Sequence, residues 1–469
     1  MGAFQSSQTP VLSWRLDNVA VDPKALRQIS SVRSAAMLAG IPAAKQERAF
    51  TGVYEFTGLQ PDTIYRVDVT SESQTATLET RTLPDSVATQ LDRSFNVLLV
   101  SCFHQSEDRS GLAGTIVSQL SSTSKPHLTI LAGDQVYLDL PTLKDFPDNL
   151  PLLAQKFEQD YTLNWAGPLS YTEVLKAAPG ISTPDDHEYW NNYPHPSPFI
   201  GNSRTPAGQA RWRDAAQAMY EGFQLSYPTR LGFAETIDVH PLSFFFADTR
   251  TGKDINRSFT MTKPARKQLD DWVTSVIAAG RFGVFVSGQS LFAKAAGNIG
   301  GAVGDYELAN YGDYGEIMQS LRRLVDEGKK PVLCLTGDVH WGRVATTRDI
   351  RTGRTAFAEV ISSPASLVST VGADQVKLVV NVFGGLFGDR NPWPRHSEPA
   401  DVPAFLAADV LGSTFPCSRV HGQRGNHVVI LSFRQQGGGL ELRVKYWPIS
   451  HDIQVGKPIE VGPIELVNS

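Results

Sequence analysis

Leu128-Thr129-Ile130-Leu131 runs almost directly into Gly133-Asp134-Gln135-Val136-Tyr137-Leu138-Asp139, an apolar stretch followed by a polar cluster. A run of this kind lacks the alternation of a half-exposed strand and suits one covered on both faces. The same order recurs along the chain. Asn96-Val97-Leu98-Leu99-Val100 precedes Ser101-Cys102-Phe103-His104, and Leu242 to Phe246 precedes Asp248-Thr249-Arg250. Val332-Leu333-Cys334-Leu335 precedes Gly337-Asp338-Val339-His340-Trp341-Gly342, and Gly180-Ile181-Ser182-Thr183 precedes Asp185-Asp186-His187-Glu188. Val284-Phe285-Val286 is a further apolar run. Helical spacing separates several of them. Thr262 to Ala279 opens on an N-cap and an early Pro264, and Glu316 to Glu327 stops at Gly328, the expected C-cap. Strands alternating with helices predict an α/β domain with a parallel or mixed centre, its polar clusters meeting beyond the carboxyl ends of the strands. His427 to Phe433 and Leu440 to Tyr446 flank Gly437-Gly438-Gly439 and read as a closing hairpin.

The first ~85 residues follow another rule. Val53-Tyr54-Glu55-Phe56, Tyr65-Arg66-Val67-Asp68-Val69 and Ala76-Thr77-Leu78-Glu79-Thr80 alternate with period two, as half-buried strands do. Tyr65 stands just inside a strand after the Pro61 turn, where its hydroxyl suits a corner bonded back to the chain. This stretch resembles a fibronectin type III-like β-sandwich and predicts a division into residues 1–88 and 89–469, with Leu83-Pro84-Asp85 opening the linker.

Composition narrows the function classes. A net charge of -5 with scattered Lys and Arg gives no basic tract for a nucleic-acid scaffold. The three cysteines, Cys102, Cys334 and Cys417, are too few and too widely spaced for a disulfide framework. No apolar run reaches the roughly 20 residues of a transmembrane span, and no signal segment opens the chain, so a cytoplasmic location is expected. Met1-Gly2-Ala3-Phe4-Gln5-Ser6 fits the short pattern for myristoylation at Gly2, although a plain flexible N-terminus is the better reading.

The clusters carry thiolate, carboxylate, phenolate and imidazole donors, all good metal ligands. Their hardness divides them. A Cys, an Asp, a Tyr and a His suit a transition ion, and phenolate favours ferric iron. Several aspartates suit a harder cation such as calcium, magnesium or manganese. Two cations ~3.5–4 Å apart can clamp a phosphate and generate hydroxide. Taken singly, Cys102 reads as a small buried apolar residue, Asp134 as a turn cap and Tyr137 as core. Taken together, such readings demand too many coincidences at strand ends.

Gly133-Asp134-Gln135-Val136-Tyr137, Asp185-Asp186-His187-Glu188 and Gly337-Asp338-Val339-His340 resemble the PhoD-type alkaline phosphatases of the calcineurin-like metallophosphoesterase superfamily. The resemblance runs from about Phe95 to the C-terminal hairpin, and the preceding sandwich is also what that family carries. It implies hydrolysis of phosphate mono- or diesters by a metal-bound hydroxide. By the same resemblance Cys102, Asp134, Tyr137 and His340 hold an iron-like site, and Asp134 bridges to a second ion, calcium in the first instance, held with Asp186 and Asp338. Magnesium, manganese and zinc are alternative metals. His187 matches the histidine that assists the leaving group, and Arg250 is expected to bind the phosphate oxygens.

Other positions are left more open. Arg250 has Asp248 as an alternative partner, and Asp338 has Arg343. His104 reads as a pocket or outer-sphere residue, and Asp139 and Asn192 as possible additions to a coordination sphere. Tyr311-Gly312-Asp313-Tyr314, within the Gly-rich stretch from Gly297, matches a family pattern imperfectly. Trp165, Trp190 and Trp341 are as well explained by packing as by a pocket, and His195, His240 and His421 carry no functional expectation. Two rival classes remain: a metallohydrolase of another type, disfavoured by the lack of an HxHxDH run, and a non-catalytic binding protein with a degenerate domain, disfavoured by the full ligand set.

Overall fold

The structure is a computed structural model that describes residues 4–42, 47–72, 74–108, 111–141, 146–167, 171–225, 228–293, 295, 306–366, 415–423, 425–449 and 456–467. Gly2, with its modification pattern, and residues 297–305 of the Gly-rich stretch lie outside the described residues.

The N-terminal strands form two antiparallel sheets, as their alternation predicts. One orders Phe4–Ser6, Arg48–Glu55 and Lys24–Ser31; the other orders Val19–Val21, Leu12–Leu16, Ile64–Ser71 and Gln74–Arg81. Tyr65 closes its corner by accepting the Gln60 N–H at 2.8 Å.

Two mixed sheets follow. The first orders Gly180–Thr183, Leu128–Ala132, Phe95–Val100, His427–Gln436, Gly439–Pro448 and Ile459–Leu466, with its first three strands parallel. The second orders Glu235–Val239, Leu242–Phe246, Phe282–Val286, Val332–Thr336, Thr355–Ile361, Gly342–Arg348 and Cys417–Gln423, with its second to fifth strands parallel. The uniform apolar runs have a direct cause: each sheet buries one face against the other. Val97, Leu99 and Ile130 share a core with Phe244, Val284 and Leu333. Helices Lys263–Ala278 and Tyr314–Asp326 cover the outer face of the second sheet, and Leu112–Ser118 with Thr172–Lys176 covers the first. The closing hairpin turns on Gly437 and Gly438, both at positive φ, the backbone of a tight two-residue turn.

Helix ends mostly follow the sequence signals. The Thr262 hydroxyl accepts the Ala265 N–H at 3.3 Å, and Pro264 sits in the first turn. The other expected end differs. The left-handed residue after Tyr314–Asp326 is Lys329 at φ 55°, not Gly328, which instead passes too close to the Leu324 carbonyl to tolerate a Cβ. Among the described residues no helix is long and apolar enough to cross a membrane.

Candidate metal centre

The parallel strands of both sheets end on one rim, and two glycines allow the loops there to pack closely. A Cβ on Gly337 would strike the Ala132 carbonyl and the Ser101 side chain, and one on Gly133 would lie 2.5 Å from Asp185 Cβ. Beyond these ends the backbone is strained. Cys102, Asp134, Asp338 and His340 all have positive φ, between 54° and 64°, a region costly for residues with a Cβ and concentrated at functional sites.

The strain brings donors together. Ligand atoms of Cys102, Asp134 and His340 lie within 4.8 Å of one another. So do those of Asp134, Asp185, Asp186 and Asp338, and those of Asp134, Asp186 and His187. Asp134 belongs to all three groups. Cys102 Sγ is 3.5 Å from an Asp134 carboxylate oxygen, and the Tyr137 hydroxyl is 3.4 Å from His340 Nε2. Cys102 and Asp134 are wholly buried.

Burial and like charge act together on these groups. Burial, then the Asp134 and Asp338 carboxylates, pushes the Cys102 thiol well above its ordinary range. Burial, then Cys102 and Asp134, does the same to the Tyr137 phenol. Burial also raises Asp134 well above the carboxylate range, opposed by His187 and reinforced by Asp186, Asp185 and Glu188. Acidic donors that are this costly to ionise in a dry site fit a bound cation, whose charge would offset the cost of ionising them.

His187 stands beside this cluster with its Nδ1 2.8 Å from Asp139, its side chain 14% exposed, and its ring against Tyr137. Burial alone would lower its pKa; Asp139, Asp186 and Asp134 raise it well above the ordinary value. Asp139, despite the opposing effect of burial, is held below its usual range by His187. Asp139 thus orients the histidine. Asn192 offers its backbone N–H to Asp186 at 2.5 Å. His104 hydrogen-bonds Ser106 and lies edge-on to Tyr137, with burial lowering its pKa.

Arg250 meets the cluster only from its buried side, at Asp185. Its side chain is fully buried, its Nε donates to Asp185 at 2.7 Å and its Nη1 to the Tyr193 carbonyl. The fork expected for phosphate is therefore turned inward, and its partner is Asp185 rather than Asp248, which accepts the Arg250 backbone N–H. Arg343 pairs with Glu359, not Asp338. Asp313 accepts N–H bonds from Thr260 and Met261, a structural role.

Two supporting residues carried no advance sign of their roles. Glu188, wholly buried, accepts the N–H groups of Asp134, Gln135 and Asp185 at 2.6–3.0 Å and so ties two donor loops together. The Ser363 hydroxyl donates to Cys102 Sγ at 3.1 Å and accepts the His340 N–H at 2.9 Å.

Two facing mixed sheets flanked by helices, with candidate donors gathered at their shared rim, make a PhoD-like fold. Among solved structures, PhoD aligns over 97% of this chain and 82% of its own with a TM-score of 0.60 at 15% identity. A dimetal phosphatase from Danio rerio aligns over 79% of this chain and 99% of its own at 7% identity, with a TM-score of 0.37. No protein-family model matches the sequence, and no curated protein does.

Proposed function

We propose that this chain hydrolyses phosphate esters at a two-metal centre. The observation that carries the reading is the shared Asp134, whose carboxylate belongs both to the Cys102–His340 group and to the Asp186–Asp338 group. Cys102, Asp134, Tyr137 and His340 suit ferric iron by their thiolate and phenolate character; Asp134, Asp186 and Asp338 suit calcium or another hard divalent ion. Bound there, such ions supply Lewis acidity toward phosphoryl oxygens and a hydroxide nucleophile at moderate pH.

The chain's own groups do the rest. The donor loops hold the carboxylates, thiol, phenol and imidazole in place before substrate arrives, fixed by Glu188 and Ser363. His187 keeps a proton through the Asp139 carboxylate and presents it to the departing alkoxide. Nothing in this apparatus distinguishes a monoester from a diester. The fold division at residues 88 and 89 is proposed with it, the sandwich bracing the catalytic part.

Assay of the purified chain on p-nitrophenyl phosphate and bis-p-nitrophenyl phosphate, with elemental analysis and a visible spectrum, tests the reading. The expected preparation contains iron, absorbs in the visible through its phenolate, and loses activity on metal removal. A colourless, metal-free preparation that still turned over either ester would refute it.

A further inference from the structure

One helix, Leu150–Ala166, bonds directly to the loops that follow Cys102 and Asp134 and reaches the loop of Asp186 through Gln224. Its Asn164 side-chain oxygen accepts the Gln105 N–H at 2.9 Å, fixing the loop that follows Cys102. Trp165 Nε1 donates to the Gln135 carbonyl at 3.2 Å, next to Asp134. Lys156 Nζ donates to the Leu138 carbonyl at 3.2 Å, next to Tyr137. The Tyr161 hydroxyl accepts from Gln224, whose amide also donates to Glu188 beside His187.

The same helix is gripped from the other side by the N-terminal sheets. Glu158 Oε2 is 2.9 Å from Arg33 Nε, and its Oε1 accepts the Ala49 N–H at 2.9 Å. Neither side chain of this ion pair is more than 5% exposed. Arg33 is itself held, donating to the Glu47 carbonyl at 2.7 Å. Val32, Met37 and Ala49 pack into one core with Leu153, Phe157 and Tyr161 of the helix.

We infer that Arg33 is a positioning residue for the metal centre: through Glu158 it sets the helix that holds the donor loops, making the sandwich part of the site's scaffold. The physical ground is preorganisation. Donor loops carrying left-handed residues relax unless their surroundings over-determine them, and a metal then binds to a looser, more costly arrangement. A buried carboxylate that accepts one backbone N–H and faces a buried guanidinium is costly to leave unpaired, so the pair fixes register rather than merely adding adhesion. This inference rests on the metal-centre reading, and its test separates the two.

The full-length chain is compared with Arg33→Met, Arg33→Lys and the double variant Arg33→Met/Glu158→Gln, which removes the buried charge left unpaired by the first. Two readouts are followed: amide hydrogen exchange at 102–108 and 133–139 in metal-depleted protein, and the rate at which a chelator strips metal from loaded protein. The expectation is faster exchange in both segments and about tenfold faster metal loss for both methionine-containing variants. Arg33→Lys should recover much of each, and protection in Leu242–Phe246 and Val332–Thr336 should be unchanged. Unaltered exchange in the two loops of the folded double variant would overturn the inference. If wild type held no metal yet its loops loosened on losing Arg33, the positioning role would stand and the metal reading would fall.

Discussion

The N-terminal sandwich and the rim of the larger sheets each place a tyrosine at a decisive point, under opposite rules. Tyr65 has its hydroxyl matched to the Gln60 N–H, on a strand that pairs as its alternating pattern predicts. Tyr137 has its hydroxyl turned toward His340 in a dry pocket, among groups that push its proton tighter. Local preferences agree with the fold in the first region and are overridden in the second. The lesson is that the rim is held by its surroundings: Glu188, Ser363 and the helix Leu150–Ala166 impose what Cys102, Asp134, Asp338 and His340 would not adopt alone.

Substitutions in the two regions should therefore differ in kind. The largest effect is expected for Asp134→Asn, which removes the shared donor: phosphate-ester turnover should drop on the order of 10⁴-fold or more, with loss of bound metal by elemental analysis. Turnover close to wild type would break the comparison outright. Next is Arg250→Met, which strands the buried Asp185 carboxylate; thermal or denaturant unfolding should register roughly 3–5 kcal/mol of lost stability. A catalytic arginine would instead show an unchanged melting curve and a raised KM.

Smaller still is His187→Gln, expected to lower kcat about 10²-fold for an ester with a poor leaving group and less for p-nitrophenyl esters. Without metal the imidazolium is held above its ordinary pKa by Asp139, Asp186 and Asp134 against the opposing effect of burial; Asp139 is the one of the three that bound cations would leave to it. Activity that needs this proton is present below the His187 pKa and falls as pH rises through it. Asp139→Asn should move that fall to lower pH in the pH–rate profile. The smallest effect is expected for Tyr65→Phe, about 1 kcal/mol of stability from one partly exposed hydrogen bond, with metal content and turnover unaffected.

The sequence made the sandwich strands legible because period-two alternation is a local signal, and the corner at Tyr65 because a Pro turn precedes it. The donors Asp134, Asp338 and His340 were legible because each follows an apolar run by a few residues. What was not legible depends on distant pairing. The Arg250–Asp185 pair spans 65 positions, and Glu188 reaches amides 53 and 54 positions away. Asp248 was the nearer acid to Arg250, so local reasoning pointed its side chain toward either Asp248 or phosphate oxygens, whereas the guanidinium pairs with Asp185 and Asp248 takes only the backbone N–H. Ser363 follows Thr355–Ile361, a fully covered strand whose mixture of Ala, Thr and Glu359 hides it among the apolar runs; Glu359 is matched there by Arg343.

Diffraction from crystals of the iron-loaded protein, with anomalous differences collected at the iron absorption edge, addresses the central claim most directly. The account predicts one strong iron peak enclosed by Cys102 Sγ, an Asp134 oxygen, the Tyr137 hydroxyl oxygen and a His340 ring nitrogen. A map with those four atoms well ordered and no iron among them, or with iron bound elsewhere, would contradict it.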